Sequence, residues 1–236
     1  MTPSRPVVAE ALGTALLLAA VVGSGIMGDR LASGNVALAL LANTIATGAT
    51  LTALILAFGP ISGAHFNPVV TLAAAWQGSL RWREVPGYVV AQCAGAFVGV
   101  AAAHLMFGEA LFSASQHARA GRAQLFSEFV ATFGLLAIIT CCARARPTAV
   151  PFAVGAYIAG AYWFTASTSF ANPAVTLARA ASNTFSGIRP ADAPGFVAAQ
   201  VVGGAAAVLA CQWLVQMPTN GVRRTVALPP GNGGGS

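Results

Sequence analysis

The chain has 236 residues, of which 56% are hydrophobic and only 8% are charged, and its mean hydropathy is +0.72. Soluble domains carry about a quarter charged residues, so this composition excludes a soluble globular protein and indicates an integral membrane protein. The formal net charge is +6. No basic cluster is interleaved with stacking aromatic side chains, so we predict no nucleic-acid partner.

Apolar segments recur along the chain, each with the roughly 20 residues that cross a bilayer. The predicted spans lie near residues 7–27, 36–58, 86–107, 125–142, 149–167 and 194–216. If the amino terminus is cytoplasmic, the inner loops hold most of the arginines. The positive-inside rule then predicts that both termini are cytoplasmic.

The second half of the chain repeats the first. SGAHFNPVVTLAAA begins at Ser62 and its counterpart TSFANPAVTLARA begins at Thr168, while AEALGTALLLA from Ala9 matches SEFVATFGLLA from Ser127. PGYVVAQCAGA and PGFVAAQVVGG form a third matching pair. Because each half holds an odd number of spans, the second half crosses in the opposite sense, which predicts an inverted-topology repeat.

The repeat defines the expected domain organisation. We expect a single domain over residues 1–220, with a first repeat at 7–107 and a second at 123–217. Residues 221–236 end in GNGGGS, a composition typical of flexible segments, and are expected to form a tail outside the fold.

Each repeat contains an Asn-Pro pair that begins a short helix, because Asn is a strong N-cap and Pro fits the first helical position. The predicted helices run from Val69 to about Trp76 and from Val175 to about Ala181. Helices of about ten residues reach only half of a ~30 Å hydrocarbon core. The non-helical loops before them are tolerated in a membrane only inside protein or along a water-filled cavity, so two half-helices predict a pore.

With these features the chain resembles the aquaporin, or major intrinsic protein, family. The resemblance covers both repeats, the glutamate near the start of each, and the Pro-Gly-x-x-x-x-Gln of the third and sixth spans. It implies an all-α membrane protein with six transmembrane helices plus two re-entrant half-helices, one pore per subunit, and a homotetramer. The implied pore motifs are Asn67, Pro68, Val69, Asn172, Pro173 and Ala174.

Three titratable residues have two interpretations each. Glu10 and Glu128 lie within spans, where an ionisable side chain is a candidate functional site. The resemblance implies that they support the re-entrant loops by accepting backbone hydrogen bonds, whereas a proton-coupled secondary transporter would use them as coupling groups. His65 lies in the first loop and is interpreted as a packed support for it, with a pH gate as the alternative.

In members of this family, residues at four positions form a constriction of the pore near its outer mouth. Counted from the two motifs, these positions are Thr47, Gly160, Ser169 and Val175. The family nearly always has Arg where this chain has Val175, so the predicted constriction is wide, weakly polar and uncharged. Arg179 lies one helical turn further along and is interpreted as an ordered surface or interface charge, the alternative being that it reaches the mouth.

A wide, uncharged constriction predicts a passive channel for small neutral solutes. Bacterial aquaglyceroporin-like channels that lack the constriction Arg are associated with arsenite, so the resemblance implies metalloid hydroxides such as As(OH)3, with glycerol, urea and water as further solutes. The alternatives are a water or glycerol facilitator, a proton-coupled transporter, and a purely structural membrane protein. The sequence contains no catalytic spacing, metal cluster or nucleotide-binding loop, so we expect no enzyme activity, cofactor or metal. We expect the protein to lie in membrane lipid, namely that of a bacterial inner membrane.

Overall fold

The computed structural model describes residues 4–215, and the predicted tail at 221–236 lies outside them. Over this range the chain is helical, with short 3-10 turns at Trp82–Glu84 and Pro147–Ala149. The helices are α1 (Arg5–Leu31), α2 (Val36–Ser62), α3 (Pro68–Trp76), α4 (Val85–Phe107), α5 (Arg122–Ala145), α6 (Val150–Phe164), α7 (Pro173–Arg179) and α8 (Ala193–Val215).

Five of these helices, α1, α2, α4, α5 and α8, are long and apolar enough to cross a membrane. The sixth, α6, has 15 residues and ends at Phe164, before the predicted end of this span. The helix ends before Thr165, where the backbone becomes extended with φ of −111° and ψ of 139°. The N–H and Oγ1 of Thr165 still donate to the carbonyl of Ala161, at 3.2 and 2.6 Å. The predicted all-α architecture of six membrane helices and two half-helices is confirmed.

The half-helices α3 and α7 have nine and seven residues. Each begins at a proline whose preceding asparagine accepts from the backbone of the first turn, and this capping explains why the helices start where the Asn-Pro pairs predict. The second half-helix ends at Arg179, slightly before the predicted end at Ala181. The two half-helices contact each other, and each also packs against both α4 and α8.

Close helix crossings hold each half of the bundle together. The helix α1 packs against α4, and α5 packs against α8 in the same way. A Cβ added at Gly95 would overlap the backbone carbonyl of Ala11, and one added at Gly203 would overlap that of Phe129. Only glycine fits where two backbones approach so closely, so these residues are part of the packing.

The outer surface of the bundle is apolar. On one face of α4, Val90, Val98 and Leu105 are 67%, 62% and 70% exposed. In water such a surface would be unfavourable, whereas hydrocarbon chains solvate it well. Polar side chains such as those of Glu10 and Glu128 are buried inside the bundle, around the half-helices.

Candidate functional site

The first re-entrant loop is held by a buried carboxylate from α1. One oxygen of Glu10 accepts from Ser62 Oγ at 2.6 Å and from the backbone N–H of His65 at 3.0 Å. The other accepts from the N–H of Phe66 and from Gln92 Nε2, both at 2.7 Å. With four donors, the carboxylate is satisfied without a cationic partner, so its burial is compensated by hydrogen bonds alone.

The second loop is held in the same way from α5. Glu128 is fully buried and accepts from the backbone N–H groups of Phe170 and Ala171, both at 2.9 Å. Gln200 Nε2 donates to the same carboxylate at 2.6 Å and to Thr176 Oγ1 at 2.9 Å. Neither glutamate lines the central cavity. A carboxylate that exchanges protons with a permeation path needs contact with it, so this placement favours a supporting role over proton coupling.

His65 is the remaining titratable residue of the first loop. Its Nδ1 lies 3.2 Å from Thr71 Oγ1, and its ring centroid is 5.5 Å from that of Tyr88. The imidazole lines the cavity while the backbone N–H is bound by Glu10. Its roles as loop support and as a pH gate both stay predictions.

Both loops contain non-glycine residues in the left-handed backbone region. Ala64 and Phe66 have φ of 49° and 48°, and Ser169 and Ala171 have φ of 49° and 47°. Such residues are strained by about 1–3 kcal/mol each and persist only where the surroundings hold them. Here the hydrogen bonds to the buried carboxylates do so. Sequence reasoning missed this geometry because a left-handed position is normally signalled by glycine.

The two asparagines of the motifs meet at the centre of the molecule. Asn67 Nδ2 donates to the carbonyl of Ala171 at 2.7 Å, and Asn172 Nδ2 donates to that of Phe66 at 2.7 Å. Each amide oxygen caps its own half-helix. A carboxamide carries two N–H donors, so one donor of each asparagine remains for a further acceptor.

A cavity of about 370 Å³ runs past both asparagines. Its ends carry Gln77 and Arg144 on one side of the bundle and Tyr162 and Arg179 on the other. Between them, the re-entrant loops and the asparagines form a polar side. Aliphatic side chains from α1, α2, α5 and α6 form the rest, including Leu17, Leu51, Leu135, Val154 and Ile158.

Three of the four predicted constriction residues line this cavity: Thr47, Ser169 and Val175. All three are nearly inaccessible, and Thr47 Oγ1 lies 3.5 Å from the hydroxyl of Tyr162. Val175 presents only methyl groups, because it has no polar side-chain atom. The structure therefore brings two small hydroxyls and one aliphatic side chain to the same end of the cavity.

The prediction that Gly160 lines the constriction is wrong. Gly160 is exposed, and no atom lies within 4 Å of the position that its Cβ would take. The helix α6 faces the cavity through Val150, Val154, Ile158 and Tyr162, which recur every four residues. Gly160 lies two positions from this stripe and so points away. The prediction counted back from Asn172 and so assumed a longer connection between α6 and α7. The four-residue spacing of the residues of α6 that line the cavity would have identified Tyr162 instead.

The prediction of a surface position for Arg179 is also wrong. Arg179 is 2% exposed and lines the same end of the cavity as Val175. Its Cζ lies 3.5 Å from the centroid of the Phe170 ring, and its Nε donates to the carbonyl of Ser186. The sequence predicted an uncharged constriction, but this end of the cavity carries the charge of Arg179.

Val69, which stands in the first motif where the second has Ala174, does not line the cavity. It is buried against α8, where a Cβ added at Gly204 would overlap its Cγ1. The equivalent positions of the other half hold Ala174 and Ala96, both fully buried. A larger residue in the motif is thus matched by a smaller one in the facing helix.

We expect Gly204→Ala to destabilise the protein by about 1–3 kcal/mol, because the added methyl overpacks the contact with Val69. The double variant Val69→Ala, Gly204→Ala removes the opposing methyls and should recover most of this loss. The midpoint of thermal unfolding in detergent micelles checks both. A Gly204→Ala variant as stable as the wild type would contradict the packing explanation.

Comparison with known proteins agrees with this architecture. The family model "Major intrinsic protein" matches residues 1–150. The chain is 56% identical to Aquaglyceroporin AqpS of Rhizobium meliloti (strain 1021), covering 94% of this chain and 95% of that protein. Aquaporin NIP1-1 of Zea mays is 35% identical over 65% of this chain and 55% of that protein.

The fold is also that of a solved structure. The X-ray structure of the aquaglyceroporin from Plasmodium falciparum is similar to it with a TM-score of 0.68 and 21% identity. The similarity covers 90% of this chain and 96% of that one. Together with the paired half-helices and the central cavity, these matches show that the chain belongs to the major intrinsic protein family of membrane channels.

Proposed function

We propose that this protein is a passive channel for small uncharged solutes, and that metalloid hydroxides such as As(OH)3 are among the solutes it conducts, together with glycerol, urea and water. The observation that carries the proposal is Val175, which lines the cavity without offering a donor or a charge. A constriction with valine instead of arginine at position 175 leaves more room there for solutes larger than water.

The two-sided lining of the cavity supports a neutral polyhydroxy solute. The free N–H of Asn67 and that of Asn172 each offer a donor to a solute oxygen, and the aliphatic wall accepts the less polar side of the molecule. An ion in the same place would lose hydration that the wall does not replace, at a cost of several kcal/mol. The channel can therefore discriminate against ions without a conformational change.

The relatives support the same solute class. The relative from Rhizobium meliloti is named an aquaglyceroporin, and it matches nearly the whole chain. We extend that name to this protein only as a proposal, and arsenous acid is a further step that rests on the absence of a charged side chain at position 175.

We also propose the setting in which the channel works. It forms a single domain of two inverted repeats, and four copies assemble in the lipid of a bacterial inner membrane with both termini in the cytoplasm. The apolar outer surface of the bundle and the relative from Rhizobium meliloti support this setting.

Stopped-flow light scattering on proteoliposomes tests the proposal by comparing the entry of water, glycerol and arsenous acid with that into protein-free vesicles. We expect arsenous acid and glycerol to enter faster through the protein, at a rate independent of a pH gradient. Accumulation driven by a pH gradient would instead identify a proton-coupled transporter.

A water facilitator is the second candidate, and Tyr162 favours it. From α6 it is Tyr162 that lines the cavity beside Thr47, whereas Gly160 was predicted to do so, and a phenol ring takes up more of the path than a glycine. Water flux without glycerol or arsenous acid flux would support this candidate and contradict the metalloid proposal.

A further inference from the structure

We propose that Arg179 is the charge-selecting residue of this channel, placing a fixed positive charge at the end of the cavity where Val175 carries none. This inference rests on the proposed channel function, and it names a residue whose charge adds to the cost of lost hydration in excluding cations. Arg179 lies one helical turn beyond Val175 on α7, and both side chains line the cavity.

The charge of Arg179 is not neutralised by a carboxylate. The ion pairs found between residues 4 and 215 involve other arginines, and Arg179 Nη1 is buried without any hydrogen-bond partner there. Glu128, the nearby buried carboxylate, is already bound by two backbone N–H groups and Gln200. A buried guanidinium with a free N–H projects its field into the low-dielectric cavity rather than into a local pair.

The guanidinium is held in place by an aromatic ring and a carbonyl. It lies over Phe170 at 3.5 Å, where the electron-rich face of the ring stabilises a cation, and Nε donates to Ser186. Phe170 itself is bound through its backbone N–H to Glu128. The position of the charge is therefore determined by the second re-entrant loop.

A second buried arginine strengthens the field. Arg119, from the connection between α4 and α5, has its Cζ 5.1 Å from the same Phe170 ring. Its guanidinium donates to the carbonyls of Gly187 and Ser167, at 2.8 and 3.2 Å, and thus to neutral groups. Burial lowers the pKa of Arg119 to about 10, which leaves it protonated at neutral pH.

A second carboxylate of this region, that of Asp192, does not cancel these charges either. Asp192 accepts from the side chain of Arg189 at 2.8 Å and from the backbone N–H of Arg119 at 2.9 Å. Its carboxylate is thus paired with a third arginine. The end of the cavity near Val175 carries an excess of positive charge even though Val175 itself is neutral.

The test measures cation and solute flux on the same proteoliposomes for Arg179→Gln and its charge-retaining control Arg179→Lys. We expect Arg179→Gln to raise K⁺ permeability by about tenfold or more, because a unit charge within a few ångströms at low dielectric repels a cation by more than the energy of a tenfold change. Glycerol flux should change by a smaller factor than K⁺ permeability, since glycerol has no charge to repel. Arg179→Lys should exclude K⁺ as the wild type does.

A third variant moves the charge. The double variant Val175→Arg, Arg179→Gln places a guanidinium at position 175, one helical turn before position 179. K⁺ exclusion should be restored in this variant, while glycerol flux should fall. A purely structural role for Arg179 predicts loss of all fluxes together and no restoration. Unchanged K⁺ permeability of Arg179→Gln, with normal glycerol flux, would overturn the inference.

The outcomes separate this inference from the proposed function. Absence of solute flux in the wild type would refute the channel proposal, whatever the arginine variants do. If Arg179→Gln does not fold, Arg179→Lys alone decides: exclusion of K⁺ supports selection by charge, whereas a K⁺ leak with normal glycerol flux overturns it.

Discussion

Val175→Arg is expected to lower arsenous acid and glycerol flux by at least about tenfold, equal to ~1.4 kcal/mol in the barrier, while water flux stays within about twofold of the wild type. Val175 is buried and lines the cavity, so a longer side chain has to extend into it. Arg179 and Arg119 already lie against the Phe170 ring, at 3.5 and 5.1 Å from its centroid, and both would repel a third guanidinium. The new side chain therefore narrows the path instead of stacking on the ring.

Stopped-flow light scattering with each solute measures this effect, and Val175→Leu is the matched control. Leucine adds bulk without charge or donors, and we expect a smaller loss of solute flux. Equal loss of water and glycerol flux in a folded Val175→Arg variant would show that position 175 does not discriminate by size.

Glu128→Gln is expected to lower the free energy of unfolding by about 3 kcal/mol and to abolish solute flux. The backbone N–H groups of Phe170 and Ala171 and the amide of Gln200 all donate to this carboxylate. A glutamine side chain offers one acceptor oxygen and turns an N–H₂ group toward the remaining donors, and each lost hydrogen bond to a buried charged group costs about 1.5–3 kcal/mol. The strained loop would then lose its support.

Thermal unfolding in detergent and solute flux in proteoliposomes check this prediction. The control is Glu109→Gln, whose carboxylate forms an exposed ion pair with Arg30 at 2.8 Å and should contribute little. If Glu128 were a proton-coupling group instead, Glu128→Gln would unfold at the wild-type temperature and lose only its dependence on a pH gradient.

The elements predicted well from the sequence are those that local chemistry determines. The N-caps Asn67 and Asn172, each followed by proline, predict where α3 and α7 begin, and the structure has both helices there. Hydrophobic length likewise predicts the long helices. Such features depend on neighbouring residues, so a single sequence contains the needed information.

The features that were missed depend on residues far apart in the chain. Arg179 looks like a surface charge in its own segment, and its burial follows from Phe170, Ser186 and Arg119, which other segments supply. Gly160 was assigned by counting across a connection whose length the sequence does not reveal. In both cases tertiary placement, rather than local preference, decided the outcome.

The reciprocal hydrogen bonds of the two asparagines make the centre of the molecule a single cooperative unit. Asn67 holds the carbonyl of Ala171, and Asn172 holds that of Phe66, so each half completes the other's loop. The final shape of each loop therefore depends on a hydrogen bond from the opposite half. A substitution in either motif should accordingly disturb both re-entrant loops and not only its own.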